Sequence, residues 1–179
     1  MDSMFAALLA LLSTPSRPER GVAIDNSVLL VYPPERELDF REYLLDRFKP
    51  VLDARRIPHR LLDLSTFLFS RLTNDQVEAL CDDEFDNYCW MCRGLSDHVA
   101  KSLTARLDEE AAMVPSGIVI VYATVALHPL VRYGNVLLHL RNIGARLVLA
   151  YPGEDRNGKL HFMNHADGAN YLSIPLFAR

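Results

Sequence analysis

The sequence predicts an α/β protein: a three-layer, Rossmann-like domain with a mostly parallel sheet of about five strands, built from two βαβ units, with a helical insert and an N-terminal helix. Three observations carry this expectation. First, Ser27–Tyr32 (SVLLVY), Ile118–Tyr122 (IVIVY) and Arg146–Tyr151 (RLVLAY) are short β-branched or aliphatic runs without polar alternation, the pattern of strands buried on both faces. Second, helical spacing follows the strands: Phe40, Leu44, Phe48, Val51 and Leu52 form one stripe, and Leu130, Tyr133, Leu137, Leu140 and Arg141 another. Third, turn residues punctuate the pattern: Pro33-Pro34-Glu35 after the first run, and Asn142-Ile143-Gly144 before the last, with Gly144 able to take positive φ past the helix end.

Taken in order, Met4–Leu12 is an apolar helix ending near Ser13-Thr14-Pro15, because the residue before proline avoids the α region. It docks on its own domain or on a partner. Residues 27–72 form the first βαβ unit: a strand, a helix over Glu37–Ala54 that Pro50 kinks or ends early, and a strand at Arg60–Leu64. Ser65 then caps a helix over Thr66–Leu72. Residues 75–113 are the helical insert, in which Leu95, Val99, Leu103 and Leu107 mark an amphipathic helix over Leu95–Ala112. Residues 117–154 are the second βαβ unit; Pro152-Gly153 follows its last strand, turn chemistry in the competing reading, and Asp155–Gly158 is a polar loop. Residues 159–177 hold the C-terminal strands, Lys159–Met163 and Tyr171–Phe177, the latter at an edge because of Pro175.

The 179 residues suit one domain. Half are hydrophobic and 23% are charged, as in soluble globular proteins. The net charge of −4 and the absence of a Lys/Arg run argue against direct nucleic-acid binding. No run reaches membrane length. Three Cys and no signal-peptide pattern point to a reducing cytoplasm.

Open parallel sheets bind ligands beyond the carboxyl ends of their strands. That rule selects a candidate pocket of Glu35, Asp63, Thr124, His128, Arg132 and Glu154, with Asp155 beside it. His128 and Glu154 would serve as acid and base, and Arg132 would hold an anion. The competing reading makes the same residues helix caps and turns. There is no P-loop, no G-x-G-x-x-G, no G-x-S-x-G and no H-E-x-x-H, so no cofactor is implied. Cys81, Cys89, Cys92 and His98 are a weak zinc set, since C-x-x-C usually opens such a site; packing is the competing reading.

The order YPPERELDFRE (Tyr32–Glu42), IPHRLLDLSTFLF (Ile57–Phe69), VIVYATVALHPLVRYGNVLLHL (Val119–Leu140), LVLAYPGE (Leu147–Glu154) and NYLSIPL (Asn170–Leu176) resembles the BrxB family of BREX (bacteriophage exclusion) defence systems. The resemblance runs from Leu8 to Phe177. It departs from the family pattern at Thr124-Val125-Ala126-Leu127, where glycine is usual. The resemblance implies a cytoplasmic, non-catalytic adaptor that links a PglZ-type phosphatase-like protein to the BREX methyltransferase, with self-association as a further option. Phe5, Leu8, Leu9 and Leu12 are then candidate partner-binding residues. The alternative is a small-ligand or nucleotide-binding protein or enzyme using the pocket at the strand carboxyl ends.

Overall fold

In a computed structural model, which describes residues 1–13, 27–75, 88–140, 144–163, 165–166 and 173–178, the strand patterns become one sheet. Its strands are β1 (Ser27–Tyr32), β2 (His59–Asp63), β3 (Ile118–Tyr122), β4 (Arg146–Arg156) and β7 (Ile174–Phe177), in the order β2-β3-β4-β1-β7 and all parallel. Two short strands, β5 (Lys159–Phe162) and β6 (His165–Ala166), extend from β4 as antiparallel additions. This is the mixed α/β, mostly parallel, Rossmann-like architecture that the buried runs predict. All residues of β1 and β3 are buried, since helices cover both faces.

One face is covered by α1 (Asp2–Ser13) and by a continuous helix of α2 (Glu37–Glu42), a π turn (Tyr43–Phe48) and α3 (Lys49–Ala54). Phe40, Leu44, Phe48 and Leu52 lie in this core with Met4, Phe5, Leu8 and alternate strand residues such as Val28, Leu30, Ile120 and Val148. The other face is covered by α4 (Tyr88–Met113) and α5 (Tyr133–His139). There Val99, Leu103, Leu107, Val136 and Leu137 meet Leu29, Val31, Val121 and Leu149. Odd and even strand residues therefore serve different layers, as the pleat requires.

The structure differs from the sequence expectations at several points. Pro50 does not end its helix. Instead the Lys49 N–H bonds to the Leu44 carbonyl five residues back, and this wider π turn clears the carbonyl that the proline ring would otherwise strike. Val51 is partly exposed rather than part of the buried stripe. The strands of the second unit, β3 and β4, are neighbours, whereas those of the first, β1 and β2, are separated by β3 and β4. Residues 65–68 form turns followed by a 3-10 turn, Phe69–Arg71, in place of a helix. The Ser65 N–H donates to Asp63 Oδ1, so Asp63 and not Ser65 is the capping residue. The crossover helix is shortened to α5, with a 3-10 turn, Thr124–Leu127, ahead of it, and Gly144 does not take positive φ. The Asp75–Leu80 helix start, Arg141 and the Asn142-Ile143 stop fall largely or wholly outside the described residues.

The largest difference is at β4. Pro152-Gly153 is not a turn, and the strand runs on to Arg156. The chain reverses at Asn157-Gly158, both with positive φ (56° and 76°), the two-residue hairpin geometry that Asn-Gly favours. Gly153 is needed where it stands: a Cβ there would come 2.0 Å from the His161 carbonyl oxygen across the hairpin.

α1 belongs to its own domain. Phe5 and Leu8 are 2% and 0% exposed, and Leu9 and Leu12 pack against the same core. Tyr43 Oη donates to Asp2 Oδ1 (2.7 Å), and Arg146 Nη1 donates to the Leu11 carbonyl at the helix C-terminus (2.9 Å). Of the four proposed partner-binding residues, Phe5 and Leu8 are therefore taken up by intramolecular packing, while Leu9 and Leu12 are partly buried against the same core. No helix among the described residues is long and apolar enough to cross a membrane.

Candidate functional site

The carboxyl edge of the sheet is built in two flanks. At the end of β1, Tyr32 Oη donates to Glu37 Oε2 (2.5 Å) in the first turn of α2. Burial, and then the Glu37 charge, push the Tyr32 phenol far above its ordinary value. The ring stacks on Phe40 (centroids 4.2 Å apart), which stacks in turn on Phe5. Glu37 Oε1 is buried and finds no hydrogen-bond partner among the described residues. At the end of β2, Asp63 faces Arg41 Nη2 (3.6 Å), whose guanidinium lies over the Tyr122 ring. Burial opposes ionisation of Asp63, but hydrogen bonds from Ser65 and Tyr122, with the Arg41 charge, hold its carboxyl below the usual carboxylate range.

The second flank follows β3. Ala123 is left-handed (φ 56°, ψ 35°) and turns the chain out of the sheet. Thr124 is fully buried: its Oγ1 donates to the Ala150 carbonyl (2.9 Å), and its own carbonyl accepts from Tyr133 Oη (2.7 Å). The His128–Pro129 peptide is cis. Ser96 of α4 donates to the Leu130 carbonyl and ties the turn to the helix layer. Between this turn and the β4–β5–β6 extension lies a cavity of about 210 Å³, lined by His128, Pro129, Val131, Arg132, Tyr133, Phe162 and His165. The His128 ring sits 5.3 Å from that of His165 and 5.6 Å from that of Phe162, and Phe162 also meets Tyr133 and Tyr151. Burial, and then the neighbouring His165, lower the His128 pKa from its ordinary value.

Of the residues selected from sequence, His128 and Arg132 line this cavity and Thr124 anchors its floor through Tyr133. Glu35, Asp63 and Glu154 are not among its lining residues. Glu35 is exposed in the 3-10 turn after β1, Asp63 is held by Arg41 and Ser65, and Glu154 pairs with Arg156 in the hairpin, opposite His161. Asp155 accepts from the Gly158 N–H in the hairpin turn. Cys81 and the side chains of Cys89 and Cys92 lie outside the described residues, and His98 Nε2 contacts the Arg71 carbonyl at 3.3 Å.

Two candidates escaped the sequence reading, Glu37 and Phe162, and a third, His165, reads from sequence as a surface histidine beside His161. Glu37 was hidden in a helix start. Phe162 and His165 reach the cavity because β4 continues past Gly153 and folds back at Asn157-Gly158. That dipeptide lies in the polar loop expected over Asp155–Gly158, and its turn chemistry sets the reversal. Compared with known proteins, the chain matches no family model, and no curated protein or solved structure resembles it at a significant level.

Proposed function

We propose that this protein is a non-catalytic adaptor subunit of a BREX-type phage-defence complex, working in the cytoplasm and linking a PglZ-type phosphatase-like protein to the DNA-modification machinery, with the carboxyl edge of its sheet as the partner-binding face. One observation carries the reading: three segments behind the family resemblance, distant in sequence, converge on this edge. Tyr32–Glu37 leaves β1 there, His128–Arg132 leaves β3, and Tyr151–Glu154 carries β4 across it, with Tyr32 in register with Pro152. The two most exposed large apolar side chains among the described residues, Leu38 (76%) and Phe69 (72%), also follow strand carboxyl ends, those of β1 and β2. Exposed apolar anchors of this kind suit protein interfaces. With α1 packed on its own sheet, the edge is favoured over the N-terminal helix as the binding face.

The test is affinity purification of tagged protein from its native host, beside a Leu38→Asp/Phe69→Asp double variant. Co-purification of a PglZ-type protein or methyltransferase with the wild type, and its loss with the double variant, is the expected result. Recovery of the wild-type protein alone overturns the adaptor role. Unchanged recovery of partners by the double variant overturns the assignment to this edge.

A further inference from the structure

We infer that the cavity between the β3 turn and the β4–β5–β6 extension is a binding site for a small phosphate-type oxyanion, in which Arg132, His128 and His165 supply the donors. The inference does not rest on the adaptor reading. All three side chains line one cavity, and no carboxylate is among its described lining residues. The Arg132 guanidinium is exposed and has no ion-pair or hydrogen-bond partner among the described residues. This sets it apart from Arg41, Arg60, Arg106 and Arg156, each of which meets a carboxylate. An arginine fork with two imidazoles matches the donor pattern that oxyanions accept. The volume, about 210 Å³, falls below the roughly 300–1,000 Å³ of pockets that enclose drug-sized ligands, so the site fits an ion or a terminal phosphoryl group.

The surroundings define how protonation enters. From β6, His165 faces His128; from the lead-in to α5, Arg132; from α5 itself, the Tyr133 phenol, already donating to the Thr124 carbonyl. From β5 the contact is the Phe162 ring. Burial, and then the neighbouring imidazole, disfavour the charged form of His128 when no anion is bound. A bound dianion favours the protonated His128 ring, which then has a second N–H donor. Binding therefore takes up protons, and affinity rises as pH falls.

The test is isothermal titration calorimetry of the full chain with inorganic sulfate, which stays doubly charged, at about pH 6 and about pH 8. Inorganic phosphate and methyl phosphate follow at the lower pH. The expected result is binding that tightens at the lower pH, and that weakens about tenfold in Arg132→Gln, the loss of one charge-assisted contact. His161→Gln, outside the lining, should bind as the wild type does. Methyl phosphate binding as well as phosphate identifies a terminal phosphoryl group as the ligand; its exclusion identifies the free ion, and both support the site. Absence of binding by every anion in the wild type, or binding that ignores both pH and Arg132→Gln while the variant remains folded, overturns it.

Discussion

The two flanks of the carboxyl edge use the same residue types to opposite ends. Beside β1 and β2, Arg41 faces Asp63, Asp63 also takes the Ser65 N–H, and Tyr32 is bound to Glu37 and stacked on Phe40. Beside β3, an arginine and two histidines share a cavity with no carboxylate among its described lining residues. Charged side chains are costly to order unless something answers them. On the first flank the protein itself answers nearly all of them, so those groups hold the fold. On the second, Arg132 has no ion-pair partner among the described residues, and the two histidines contact each other and Phe162. Residue type at a strand end is thus a poor guide to function. What matters is whether the partner is already present.

The comparison is most easily broken from the closed flank. Phe5 joins Phe40, Tyr43 and Phe48 at centroid distances of 4.6–5.5 Å and is 2% exposed. Phe5→Ala should cost about 3–5 kcal/mol, the range for emptying a buried aromatic site, measured as a fall in the urea unfolding midpoint. A loss below about 1 kcal/mol, the effect of an ordinary surface change, would mean α1 is not docked on the sheet.

A charged cluster away from the edge extends the contrast. Glu110 is buried and takes Arg60 Nε and Arg106 Nη2, each at 2.6 Å. The Arg60 hydrogen bond, against the opposing effect of burial, and then the Arg60 and Arg106 charges lower its pKa. Glu110→Gln should cost about 1–3 kcal/mol at neutral pH. Because the folded pKa lies below the unfolded one, this stability is present above the unfolded value of about 4.3 and is lost as pH falls through the folded value. Wild type and variant should therefore converge in stability as the pH drops from about 5 towards about 3. A gap constant across that window would remove the ionised carboxylate from the account.

Asp63→Asn is the milder case. It keeps a side-chain oxygen for the Ser65 N–H but discards the charge facing Arg41, a pair about one-third exposed on each side. The expected loss is about 0.5–1 kcal/mol, as for exposed ion pairs, reduced by added salt. A loss that salt leaves unchanged would point to the turn and not to the ion pair.

These effects sort what the sequence made legible. Strands buried on both faces announce themselves through uninterrupted aliphatic runs, and β1 and β3 match their expected limits residue for residue. The edge position of β7 was readable because Pro175 cannot donate to a ladder. Neighbour relations were not readable. Nothing local tells β1 that β4 and β7, and not β2, will flank it. His128 and Arg132 were legible as site residues because they share one strand-to-helix turn. His165 was not, because its approach depends on where the chain reverses. Pro152-Gly153 carried the stronger turn composition, yet Gly153 serves close backbone approach and Asn157-Gly158 makes the turn.

The smallest expected effect sharpens the comparison most. Arg132→Gln should change the unfolding free energy by less than about 0.5 kcal/mol, the range for a surface substitution that breaks no cap, pair or packing contact. Its guanidinium is exposed and answered by none of the described residues, while its backbone carbonyl accepts from Asn135 and Val136 and survives the substitution. Arg41→Gln, placed on the same edge but facing Asp63 and covering Tyr122, should cost more, about 0.5–1 kcal/mol. Equilibrium urea unfolding of the two variants side by side makes the comparison direct. If Arg132→Gln were as costly as Arg41→Gln, Arg132 would be part of the scaffold and the two flanks would not differ. If it were silent in stability, the positive charge beside His128 and His165 would be one the fold does not need, left for something the cavity receives.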